Sequence, residues 1–385
     1  MNIFVIGAST TKFGELWDVS PRALAREAMG AAVADAGIEK RKIQALFVGN
    51  MLSGMLGSQE HLGAFFAEEL GFVRAAACKI EGACASGGLA VHSAVNSILS
   101  GQYDTVAVLG VEKMTDHRPE DVATALMGAG SSEERASGCT FPGLYAIIAR
   151  AHMHAFGTSE EDMACVAVKN HFHASLNPNA QFHRPITVLQ VLKSHSVADP
   201  LKILDCSPIS DGASAVILTA KSKVKDQTSK AVSIAGSAVA TDTLGLARRG
   251  SLTEFISTKE AARRAYAQAG IVAVDVDVAE VHDCFTIAEI LALEDMGFVS
   301  KGEAGARVGR GEFTLGMAKR TVVNPSGGLK GCGHPIGATG VKQIVELVEQ
   351  LRGSAGKRQV ENARIGLAHN VGGTGATAVV QVLQS

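Results

Sequence analysis

Short apolar runs alternate with longer amphipathic segments along the whole chain. NIFVIGAS (residues 2–9) leads into PRALAREAMGAAVADAG (21–37) and then into IQALFVGN (43–50). This is the strand–helix–strand rhythm of a parallel sheet covered on both faces, and it predicts an α/β fold.

The same order of parts returns in the last third. AVSIAGSAV (231–239) matches the first strand, AARRAYAQAG (261–270) matches the helix end AMGAAVADAG (28–37), and VAEVHDCF (278–285) matches IQALFVGN. Each third then reaches a glycine-rich strand-to-helix turn, EGACASGGLAVHSAVNSILSG (81–101) in one and KGCGHPIGATGVKQIVELVEQLRG (330–353) in the other, so that Cys84 and His334 fall at matching points. A closing strand follows each turn, DTVAVLGVE (104–112) and ARIGLAHNVGG (363–373). Doubly wound proteins show loose self-similarity in general, but this many parts in one order point to two related, fused halves.

Between the repeats the texture changes. Residues 115–205 are rich in Met, His and Ser and carry helical stretches such as LYAIIARAHMHAFG and EEDMACVAVKNHFHASL. The expected organisation is an N-terminal half over residues 1–114, completed by about 206–230, an inserted loop domain over 115–205 placed as a lid over a substrate, and a C-terminal half over 231–385.

Size and charge narrow the function. At 385 residues the chain is long for a single core and can bury a large interior. Its net charge of −2 shows no basic excess, which excludes nucleic acid as an expected partner. The start, MNIFVIGAST, has no basic region or cleavage site, and no apolar stretch approaches the roughly 20 residues of a membrane span. A cytoplasmic protein without a membrane partner is expected. The seven cysteines are scattered, odd in number and free of a CxxC pair, against a disulfide framework and against a zinc site, so no metal is expected.

Four places hold candidate chemistry. Cys84 lies in GACASGG, a turn opening a helix, where free N–H groups and the positive end of the dipole favour a thiolate. An isolated cysteine is otherwise a small core residue. His334 lies in GCGHPIGATG, where Pro335 suits a first helical position and fixes the histidine at the helix entrance. It reads either as a base for Cys84 or as a capping residue, and the repeat favours the base. His282, Asp283 and Cys284 end a strand at its carboxyl edge, where ligands bind in such sheets; Cys284 reads as a second reactive thiol or as an inward-packed residue. His369 and Asn370 open HNVGGTGA, a loop whose N–H groups, those of Gly372 and Gly373 included, can stabilise an oxyanion.

Together, Cys84 in GACASGG, the segment His282-Asp283-Cys284-Phe285, GHPIGATG around His334 and the terminal HNVGG resemble the thiolase superfamily, in particular its sterol-carrier-protein-type and archaeal acetoacetyl-CoA thiolases. The resemblance covers essentially the whole chain, and GHPIGATG is its most specific motif. It implies a five-layered αβαβα core of two related halves with an inserted loop domain. It also implies a homodimer or homotetramer, coenzyme A thioesters as substrates and no separate cofactor. Carried onto these residues, it makes Cys84 the acyl-carrying nucleophile, His334 its base and Cys284 the acid/base for the α-carbon. His282 and His334 then serve the enolate oxygen, and the N–H groups of Cys84 and HNVGG serve the acyl oxyanion.

Two departures from the better-known bacterial thiolases stand out. Their Asn-Glu-Ala-Phe segment reads His282-Asp283-Cys284-Phe285 here, and their C-terminal cysteine position reads His369. The resemblance therefore implies an active acyltransferase with a relocated acid/base cysteine and a supporting role for His369. The leading expectation is an acetyl-CoA C-acetyltransferase that joins two acetyl-CoA or cleaves acetoacetyl-CoA. A thiolase for longer 3-ketoacyl chains and a non-catalytic acyl-CoA carrier or scaffold are the alternatives. Archaeal relatives imply a complex with HMG-CoA synthase and a zinc-ribbon/OB-fold protein.

Overall fold

The first long helix shows how local chemistry sets the elements. The Ser20 hydroxyl accepts the N–H of Ala23, Pro21 fills the first turn, and Gly37 ends the helix in the left-handed region at φ 61. The structure is a computed structural model and describes residues 1–224, 231–318 and 320–385. Residues 225–230, at the expected junction of the halves, lie outside the described residues.

The first half runs β1 (Ile3–Thr10), α1 (Pro21–Ala36), β2 (Ala45–Gly49), α2 (Ser53–Leu56), α3 (Leu62–Leu70), β3 (Ala76–Ile80), α4 (Ser86–Leu99) and β4 (Thr105–Glu112). A helical segment follows, α5 (Pro119–Leu126), α6 (Ser132–Ala136), α7 (Phe141–Phe156), α8 (Glu160–Ser175) and α9 (Val188–Leu192), with a hairpin of β5 (Ser196–Ala198) and β6 (Leu201–Lys202). The chain then returns as β7 (Gly212–Ala220). The second half runs β8 (Val232–Thr241), α10 (Ile256–Ala269), β9 (Val278–Glu280), α11 (Thr286–Asp295), α12 (Ala304–Gly309), β10 (Val322–Val323), α13 (Gly328–Cys332), α14 (Ile336–Leu351), β11 (Ile365–Gly372) and β12 (Thr377–Gln384).

The strand order makes the repeat visible. One half is ordered β3-β2-β4-β7-β1 and the other β10-β9-β11-β12-β8, and a short antiparallel contact of Phe4 with Ser233 and Val5 with Val232 joins them edge to edge. The sheets are not wholly parallel, as the rhythm alone predicts. β7 runs against both β1 and β4, and β12 runs against both β8 and β11. The reason in the second half is the short turn from β11 into β12, which forces antiparallel pairing. In the first half the whole helical segment stands in place of that turn.

Strands apolar on both faces dictate layers. In β4, Val106 and Val108 pack with α4 and α14, while Ala107 and Leu109 pack with α1 and α3. In the second half Leu367, Val380 and Val382 pack with α10 and α11. The result is five layers, αβαβα, with α4 and α14 at the centre. Every residue of α14 except Glu349 is buried. Its buried charges are paired: Lys342 with Glu280 at 2.9 Å, and Glu346 with Arg358 at 2.9 Å.

The two central helices touch through glycine. A Cβ on Gly340 would stand 2.2 Å from the backbone N of Gly88 and 2.3 Å from Asn370 Oδ1. Gly340→Ala is therefore expected to lower the free energy of unfolding by about 1–3 kcal/mol, measurable by denaturant titration, because neither backbone can retreat within the middle layer. Among the described residues no helix is long and apolar enough to cross a membrane.

Candidate active site

Three of the sequence-predicted residues occupy equivalent positions. Cys84, Cys284 and His334 each stand two residues before a helix, α4, α11 and α14 respectively, and all three line one cleft. The cleft encloses about 860 Å³, including the part open to solvent, and its walls are mainly apolar, with Met114, Leu126, Phe141, Ile209 and Ile336 among them. Cys84 Sγ and one ring nitrogen each of His282 and His334 lie within 4.8 Å of one another.

The turn that presents Cys84 is tightly braced. Ala83 adopts a left-handed φ of 53, and the Ser86 hydroxyl donates to Ala83 O at 2.6 Å while accepting the N–H of Gly82 at 3.0 Å. Gly372 has no Cβ because one would lie 2.4 Å from Gly82 O, so β11 presses directly against this turn. The next residue, Gly373, directs its N–H at the Cys84 thiol.

The hydrogen-bond network fixes both imidazole tautomers. Thr339 Oγ1 donates its proton to Pro335 O at 3.0 Å, so toward His334 Nδ1, 2.7 Å away, it accepts. His334 therefore carries its proton on Nδ1, and its buried Nε2, with no partner among the described residues, offers a lone pair to the cleft. His282 is the opposite case. Asn370 Oδ1 accepts the N–H of Gly88 at 3.0 Å, which identifies the other amide atom as nitrogen; that nitrogen donates to Cys84 O at 2.9 Å and to His282 Nδ1 at 3.1 Å. The His282 proton is then on Nε2, also buried without a partner among the described residues. One histidine presents a base and the other a donor. A thiol and two imidazoles also resemble a metal-ligand set, but an N–H on His282 Nε2 supplies no lone pair, so this arrangement does not fit one.

Asp283 is structural. Its carboxylate accepts the N–H of Leu329 at 2.6 Å and of Lys330 at 3.1 Å, at the start of α13, and the side-chain amide of Asn170 at 2.6 Å. This pins the segment between His282 and Cys284. Ser207 N–H holds the Cys284 carbonyl at 2.9 Å.

Burial dominates the electrostatics of the cleft. Burial pushes the Cys84 thiol up to about 12, against the pull of the Gly373 and Cys84 N–H groups, and pushes His334 down to about 3. Burial likewise raises Cys284 and lowers His282. Burial and the N–H groups at the helix entrance thus act on Cys84 in opposite senses, with burial the larger, which favours a neutral thiol beside a neutral imidazole. In the free protein, alkylation of Cys84 by iodoacetamide is therefore expected to rise about tenfold per pH unit from ~7 to ~10 without levelling off. A plateau below pH ~8 would reveal an ion pair instead.

The structure does not bring His369 to the cleft. Neighbours in a strand face opposite ways; His369 Nε2 bonds Thr258 on α10 at 2.9 Å, on the outer side, and Asn370 faces inward. Asn370, Thr339 and Tyr145 are the site residues that the sequence reading leaves without a role. Alternation along β11 is the signal that separates Asn370 from His369. Cys206 also lines the cleft, and all seven cysteines are free.

Comparison with known proteins now decides the family. Residues 3–222 match the thiolase N-terminal domain, and residues 238–385 match the thiolase C-terminal domain-like family. The chain belongs to the thiolase family. It is 49% identical over 385 residues to an acetyl-CoA acetyltransferase of Methanothermobacter thermautotrophicus, covering 99% of each chain. It is 35% identical to sterol carrier protein 2 of Rattus norvegicus, over 98% of this chain and 71% of that one. Among solved structures, the Ltp2-ChsH2(DUF35) aldolase superposes with a TM-score of 0.86 at 25% identity, covering 100% of this chain and 98% of that one. This thiolase is accordingly an acyltransferase.

Proposed function

We propose that this thiolase interconverts acetoacetyl-CoA plus coenzyme A with two acetyl-CoA, through an acetyl group carried on Cys84. The observation that carries the reading is the meeting of two thiols, a lone-pair imidazole and an N–H imidazole at one cleft. Similarity over the full length to a protein named acetyl-CoA acetyltransferase supports it.

In the thiolysis direction Cys84 Sγ attacks the 3-keto carbon while its proton passes to His334 Nε2. The N–H groups of Cys84 and Gly373 face the resulting oxyanion. The bond between C2 and C3 then breaks, its electron pair remains as the enolate of acetyl-CoA, and the His282 Nε2–H meets the enolate oxygen. Cys284 gives its proton to that carbon and becomes a thiolate. It regains a proton from incoming coenzyme A, whose sulfur takes the acetyl group, and the Cys84 sulfur recovers the proton held by His334. Condensation is the reverse.

Longer 3-ketoacyl chains form the second reading, favoured by the apolar walls of the cleft. Thiolysis of acetoacetyl-CoA beside a series of longer 3-ketoacyl-CoA thioesters separates the two, with the highest kcat/KM expected for acetoacetyl-CoA. A chain that binds acyl-CoA without turning over any of them would replace both readings with a carrier or scaffold. A partner protein also belongs to this proposal, since the aldolase neighbour is named with two components. Co-purification with an HMG-CoA synthase and a zinc-ribbon/OB-fold protein tests it, and recovery as a homodimer or homotetramer alone counts against it.

A further inference from the structure

Tyr145 is 1% exposed yet lines the cleft beside both thiols. It sits on the first turns of α7, where the Thr140 hydroxyl accepts the N–H of Gly143 and Pro142 stands in the first turn. Its ring has little room to move. It stacks on Phe285 with centroids 4.5 Å apart and planes at 28°, and it meets Phe255 edge-on at 6.4 Å and 88°. Phe285 directly follows Cys284, so the stack ties α7 to the segment that carries the second thiol.

The hydroxyl has two neighbours and one proton. It donates to Gly373 O at 3.0 Å and interacts with the Cys284 thiol. With its proton given to Gly373, it has only lone pairs for Cys284, which it therefore meets as an acceptor of S–H. When Cys284 is a thiolate the match fails. The hydroxyl must then turn its proton from Gly373 O to the sulfur. Gly373 is the residue whose N–H faces Cys84.

We propose that Tyr145 is the positioning residue for Cys284, holding its thiol toward the carbon being protonated and following its change of charge by turning one hydroxyl proton between Gly373 O and the Cys284 sulfur. The inference rests on the two-thiol reading of the site. The step it governs is balanced within the site: in condensation the C–H bond of an acetyl methyl breaks, its proton forms S–H on Cys284, and the electron pair stays as the enolate. Tyr145 neither gains nor loses a proton overall.

Tyr145→Phe keeps the ring and its stacking and removes only the hydroxyl. Two readouts separate its role from a merely structural one. Exchange of labelled coenzyme A into acetyl-CoA needs Cys84 and His334 alone, and washout of the acetyl methyl protons into deuterium oxide needs Cys284. In Tyr145→Phe the coenzyme A exchange is expected within about threefold of wild type, while methyl proton exchange falls on the order of 10-fold to 100-fold, as for a reacting group misplaced by about 1 Å. Methyl exchange at the wild-type rate, or an equal fall in both exchanges, would overturn the inference. Wild-type protein that shows neither exchange would instead overturn the two-thiol reading itself.

Discussion

Replacing Cys84 by alanine is expected to abolish acetoacetyl-CoA thiolysis, with kcat reduced on the order of a million-fold, as for removal of a nucleophile that acts as one unit with its base. Exchange of coenzyme A into acetyl-CoA should vanish with it. The reason is geometric: Cys84 alone stands on the turn braced by Ser86, beside His334 Nε2, which has no partner among the described residues, and within the influence of the Gly373 N–H. The other thiols of the cleft cannot substitute. Cys284 faces the Tyr145 hydroxyl, and the Cys206 thiol donates to Lys202 O at 3.4 Å. Unchanged melting would show that the loss is chemical.

Cys284→Ala is expected to divide the reaction. Acylation of Cys84 and coenzyme A exchange should persist within a few-fold, because His334 both takes the Cys84 proton and returns it to the leaving sulfur. Formation and cleavage of the carbon–carbon bond should fall by about 10²-fold to 10⁴-fold, the usual contribution of a positioned acid or base. Acylation of Cys84 by acetyl-CoA at close to the wild-type rate, with no burst of acylated protein from acetoacetyl-CoA, would be its kinetic mark. Loss of both half-reactions together would mean that Cys284 serves the nucleophile, a role the tautomer of His334 does not call for.

Much of this was legible in the sequence, for identifiable reasons. Cys84 and His334 could be paired because the same glycine turn occurs twice, and the topology repeats it strand for strand, with β4 and β11 following each turn. Cys284 could be placed because a strand end followed by a helix puts its last residues at the ligand edge. The remainder depends on contacts between distant segments. His369 and Asn370 are adjacent in sequence, and only the pairing of β11 in the sheet decides that Asn370 faces Cys84 while His369 faces Thr258. Tyr145 reaches Cys284 only because α7 folds back over the second half. Burial of the Cys84 thiol has a similar origin: the helix terminus is visible in sequence, whereas the burial that opposes it is not.

The most direct test of the central claim is mass spectrometry of the protein quenched in acid after brief mixing with acetoacetyl-CoA in the absence of free coenzyme A. The account predicts one added acetyl group per chain, located by peptide mapping on Cys84 and discharged when coenzyme A is added. An unmodified Cys84 in protein that still turns over, or an acetyl group found on Cys284 or Cys206 instead, would contradict it.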